Sequence, residues 1–93
     1  MAKVQARHIL VSTKEECDDL MGQIEKGSDF EELAREHSQC PSSQQGGDLG
    51  EFGPGQMVKE FDTVCFNEEV GKVHGPISTQ FGFHLIQIVS RTE

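Results

Sequence analysis

The sequence predicts an α+β fold, a small antiparallel sheet with helices packed around it, on three observations. Strand-like runs stand at both ends, residues 6–11 near the start and 73–79 and 81–89 near the finish. Three blocks of apolar residues at helical spacing lie between them. A glycine-rich stretch, residues 40–55, separates the second block from the third.

Residues 6–11 form an apolar run with an embedded polar pair, Arg7-His8, and read as a strand. In extended backbone His8 and Leu10 share one face, while Arg7, Ile9 and Val11 share the other. Thr13-Lys14-Glu15-Glu16 has the form of a capping box. Cys17, Leu20, Met21 and Ile24 follow as one stripe of a helix, and Gly27 is placed to end it. Ser28-Asp29-Phe30-Glu31 repeats the box before a second amphipathic helix marked by Phe30, Leu33, Ala34 and His37. Residues 40–55 hold five of the ten glycines and two of the three prolines, so tight turns are expected there, with a short strand near Glu51-Phe52. A third helix runs over 57–66 through Met57, Phe61 and Val64, and Gly71 breaks it. Residues 73–79 begin a strand. In 81–89 apolar residues fill both faces, so that strand is central and covered on both sides.

Ninety-three residues suit one domain, 1–93, able to fold without staples. The net charge of −8 repels phosphate backbones and anionic lipids, which excludes nucleic acid and membranes as partners; its plain effect is solubility. No apolar run approaches the roughly eighteen residues a spanning helix needs. Met1-Ala2-Lys3-Val4-Gln5 has no hydrophobic signal segment, so a cytoplasmic protein is expected. The three cysteines, Cys17, Cys40 and Cys65, are odd in number and widely spaced, which points to thiols rather than disulfides.

His8 and His84 are the candidate pair for chemistry, each in a strand among apolar neighbours. They read either as a linked pair beneath an active site or as core histidines with satisfied rings. A zinc site lacks a third and fourth ligand at known spacing, so no metal or cofactor is expected. Cys40 has no adjacent base to activate it as a nucleophile. Cys17 and Cys65 fall on helix stripes as small core residues, and His37 and His74 read as surface or helix-end residues. Gly46-Gly47-Asp48-Leu49-Gly50 lacks the lysine ending of a phosphate loop and carries acids that repel phosphate.

Taken together, these segments resemble the parvulin family of peptidyl-prolyl cis/trans isomerases, above all its small single-domain bacterial members. The resemblance is carried by Arg7-His8-Ile9-Leu10-Val11, Gly27-Ser28-Asp29-Phe30, Gly47-Asp48-Leu49-Gly50-Glu51-Phe52 and Gly55-Gln56-Met57-Val58 followed by Phe61. Gly75-Pro76-Ile77 and Gln80-Phe81-Gly82-Phe83-His84 complete it, and the pieces keep parvulin order and spacing along nearly the whole chain.

The resemblance implies a four-stranded antiparallel sheet surrounded by helices, in β-α-α-α-β-α-β-β order, with a shallow groove. Leu49, Met57 and Phe61 match the pocket for the substrate proline ring, and Phe81 the groove's border. His8 and His84 match the paired histidines, Thr79 the hydroxyl beside them, and Cys40 a position filled by cysteine or aspartate. It implies a cofactor-free, non-covalent isomerase acting as a monomer on proline-containing polypeptides. Phosphate-directed relatives carry a long basic loop after the first strand; here Val11-Ser12-Thr13 leads straight into a helix and offers only Lys14. Unphosphorylated substrates with an apolar residue before proline are therefore expected. A non-catalytic, chaperone-like peptide-binding module is the alternative, and a thiol enzyme built on Cys40 the third reading.

Overall fold

The structure, a computed structural model, describes residues 2–92. Its elements are β1 (Lys3–Val11), α1 (Lys14–Glu25), α2 (Phe30–His37), a 3₁₀ turn (Pro41–Gln45), β2 (Asp48–Phe52), α3 (Lys59–Asn67), β3 (Val73–Thr79) and β4 (Gly82–Thr92). The strands form one four-stranded antiparallel sheet, as the resemblance implied, and its order is β2-β1-β4-β3.

Pleating sorts the sheet into two faces. Ile9 and Val11 of β1 and Leu85 of β4 join Cys17, Leu20, Phe30, Leu33 and Ala34 in a core under α1 and α2. Val4, Ala6, Ile86 and Ile88 join Phe52, Phe61 and Cys65 in a second core under α3. The central strands are thus covered on both sides, as their apolar composition requires. Cys17 and Cys65 are fully buried, and burial pushes both thiols up to about 11, so they act as small core side chains.

Thr13 caps α1 by accepting the Glu16 N–H at 3.2 Å. The return bond from the Glu16 carboxylate is not formed among the described residues. At the other end Gly27, at φ 107°, donates to Ile24 O while Ser28 N donates to Gln23 O, a Schellman ending. That use of Ser28 displaces the second expected cap. Asp29 stands at the start of α2 instead, without a side-chain bond, so the box at Ser28 is corrected.

Several boundaries also differ from the sequence reading, among them three that bear on the site and its strands. β1 begins at Lys3 because it pairs with β4 as far as Lys3↔Thr92, a long-range partnership invisible locally. α3 begins at Lys59, so Met57 precedes the helix rather than opening it. Thr79 pairs with Gly82 across a two-residue turn, which puts Phe81 in that turn rather than in β4.

Candidate active site

His8 and Leu10 continue the β1 face that carries Val4 and Ala6, and His84 continues the β4 face of Ile86 and Ile88. In the antiparallel register His8 lies opposite Ile86 and Leu10 opposite His84, so the two histidines are diagonal neighbours on one face. Their rings meet there, Nδ1 to Nδ1 at 3.1 Å, with 5 % and 3 % of each residue exposed. Phe61 sets its ring edge-on to both, at centroid distances of 5.3 Å from His8 and 4.8 Å from His84. The chain continues outward: His84 Nε2 lies 2.7 Å from Thr79 Oγ1, which also accepts the Phe81 N–H at 3.1 Å.

An Nδ1–Nδ1 bond needs one protonated nitrogen and one bare one, so both rings cannot be imidazolium together. Burial lowers the His8 pKa to about 4, with the charge of His84 adding to the effect. Burial lowers His84 too, against an opposing pull from Glu60. At neutral pH the pair is neutral. His8 Nε2 is buried without a partner. Two neutral, mutually bonded imidazoles are poor bases, and the Cys40 thiol has no hydrogen bond among the described residues.

Above this layer opens a cleft of about 360 Å³. Seven of the predicted site residues line it: His8, Cys40, Leu49, Met57, Phe61, Phe81 and His84. Thr79, the eighth, stands behind His84. Leu49 comes from β2, Phe61 from α3, Met57 from the segment before α3, and Phe81, 62 % exposed, from the β3–β4 turn. Leu10, Gln39, Pro41 and Val58 complete the lining and were not singled out from the sequence. Leu10 was within reach, since alternation sets it beside His8. Gln39 and Pro41 arrive only because Gln39 N donates to Leu10 O and Ser38 Oγ accepts from Leu10 N, stitching this loop to the edge of β1. No Lys, Arg, Asp or Glu lines the cleft among the described residues.

Gly47 lets the loop close over β1. His8 N donates to Gly47 O at 2.9 Å, Gly47 has φ 86°, and a Cβ there would stand 2.4 Å from His8 O. Only glycine fits that approach.

A slightly larger hollow, about 400 Å³, lies elsewhere, lined by residues that include Asp62, Phe66 and Arg91. It contains none of the predicted residues. Its guanidinium already donates to the carbonyls of Cys65 and Glu68, and its carboxylate accepts from Gly55 N. The apolar cleft over the histidines is the better candidate.

A sheet of this order, with paired buried histidines under an apolar cleft, defines a parvulin-type domain. The chain matches the PPIC-type PPIASE domain, a rotamase family, over residues 1–92, and it belongs to that family. Foldase protein PrsA of Geobacillus sp. (strain WCH70) is 42% identical over 92 residues, covering 98% of this chain and 33% of the relative. The crystal structure of peptidylprolyl isomerase PrsA from Bacillus anthracis superposes with a TM-score of 0.95 at 34% identity, over 99% of this chain and 43% of that one. NmPin, the parvulin of Nitrosopumilus maritimus, gives a TM-score of 0.87 at 37% identity, over 97% of this chain and 98% of that one. The chain thus spans about a third of the length of the PrsA relative.

Proposed function

We propose that this domain accelerates cis/trans rotation about Xaa-Pro bonds in unfolded or flexible polypeptides, without covalent chemistry and without a phosphate requirement. The observation that carries the reading is an apolar cleft, free of charged lining among the described residues, lined by Leu49, Met57 and Phe61 beside the histidine pair. An unaided Xaa-Pro bond turns in about tens to hundreds of seconds because amide resonance resists twisting. Turnover at ~10–10³ s⁻¹ requires only ~4–7 kcal/mol off that barrier. The twisted bond has lost conjugation and charge separation, so a dry pocket that grips the ring favours it over the planar amide. No group need be transferred. His8, Thr79 and His84 hold the floor in place, and Cys40 borders the swinging carbonyl.

On the same reading the substrates carry an apolar residue before proline, and the domain works as a monomer in the cytoplasm, apart from nucleic acid and membranes. The charge of −8 and the three free thiols support this. A second reading, a peptide holder without catalysis, draws support from Chaperone SurA of Burkholderia lata, which is 38% identical over 102 residues. Exchange NMR on an Ala-Pro peptide, run with and without a phosphoserine before proline, separates them. Exchange between cis and trans lines at catalytic dose, strongest without phosphate, is the expected result. Shifted peaks with unchanged exchange would establish the holder instead.

A further inference from the structure

Met57 forms a wall of the cleft, yet it lies outside any helix or strand, between Gly55 and the first turn of α3. The segment before it, Gly53-Pro54-Gly55, has two glycines and would sample many conformations if unrestrained. Two side-chain hydrogen bonds restrain it, beside a backbone bond from Gln56 N to Gly53 O at 3.4 Å. Gln56 Oε1 accepts from Gly53 N at 2.8 Å, and Asp62 Oδ2 accepts from Gly55 N at 2.7 Å. Val58, at the N-cap of α3, has no side-chain cap bond, but its carbonyl accepts from Phe61 N and Asp62 N. The acid on the first turn of α3 therefore reaches back past the cap, as the glutamate of a capping box does, and grips the chain three residues earlier. Met57 is held from both sides, by the tether before it and the cap after it.

We propose that Asp62 is a positioning residue for substrate binding: its carboxylate, which does not line the cleft, holds the 53–57 segment so that Met57 closes the apolar wall. The role rests on reading the cleft as the proline cradle. The acid also carries a directional reason to be there, because a carboxylate at a helix N-terminus meets unpaired N–H groups and the positive end of the dipole.

The test uses the protein labelled with ¹³C at its methionine methyls. Met21, packed against the other core under α1, serves as the internal reference. In Asp62→Ala the Met57 methyl should shift and broaden while Met21 does not move, and KM for an Ala-Pro peptide should rise about tenfold at nearly constant kcat. Asp62→Asn keeps an oxygen acceptor and should stay within about threefold of the parent. Ile24→Ala, a destabilising change on the opposite face of the sheet, should lower Tm without touching KM. If Asp62→Ala does not fold, Asp62→Glu takes its place, since the extra methylene displaces the acceptor while keeping the charge. An unmoved Met57 methyl with unchanged KM overturns the proposal. The methyl signal is read without peptide, so an inactive parent protein would sink the isomerase reading and still leave the tether decided.

Discussion

The two faces of the sheet are built from similar side chains and end differently. Under α1 and α2, Ile9, Val11, Leu20, Phe30, Leu33 and Leu85 close over one another, and Met21 and Ile24 finish the edge. Under α3, Val4, Ala6, Phe52, Phe61, Ile86 and Ile88 make an equally dry centre, but Leu49, Met57 and Val58 at its margin, half-buried like Met21 and Ile24, line the cleft. The proposed binding cleft is thus a hydrophobic core left unfinished at one end, where two histidines replace aliphatic residues in the alternation. A proline ring would complete it. Packing energy that the first face spends within the chain is available on the second to a substrate.

The sharpest way to break this comparison is a matched pair of truncations. Leu20→Ala and Phe61→Ala should each destabilise the fold by about 3–4 kcal/mol, as large core deletions do. Measured below the transition, where the protein stays folded, Leu20→Ala should keep normal kcat/KM and Phe61→Ala should lose about a hundredfold. Equal losses in both would mean that the faces are not functionally distinct.

The histidine layer gives the next effect. His8 has its pKa lowered by burial from 6.5 to about 4, so the unfolded chain binds a proton in that window and the folded chain does not. Stability should be complete above about pH 6.5 and fall as pH drops toward 4, by ~3 kcal/mol in all. Denaturant titrations of the parent and of His8→Phe from pH 7 to 4 check this. A parent whose decline is matched by the variant would show that His8 does not carry the slope.

Smallest is the effect at the cleft's rim. The Cys40 thiol makes no hydrogen bond among the described residues, and on the non-covalent reading no bond to it has to form, so Cys40→Asp should cost less than about threefold in kcat/KM. Near-total loss with the fold intact would restore a chemical role for the thiol.

The legible parts of this protein are those whose signals are local. The stripes of α1 and α2 and the two-sided apolar run of β4 follow from spacing alone, because each period maps directly onto a buried face. Met57 and Phe61 misled as a helical pair: four residues apart, they match a turn of helix, yet the helix starts only at Lys59 and the tether to Asp62 directs the chain before it. In residues 40–55 the strand near Glu51-Phe52 was readable and is the end of β2, whereas the 3₁₀ turn was not, since glycine imposes no conformation of its own. The candidate site residues came from resemblance to a family, not from pattern. His8 and His84 stand 76 positions apart, and nothing local says that they touch.

By itself, then, the sequence determined the class of fold, which strand is central, which cysteines are inert, and that the chain carries a strong negative charge. Tertiary structure alone decided that His8 and His84 fall diagonal in one register, that Ser38 and Gln39 bind the edge of β1, and that the second core stays open. Those outcomes depend on how strands align and loops close across the whole domain. Side-chain periodicity specifies faces, whereas only the assembled backbone specifies which faces meet and where they stop.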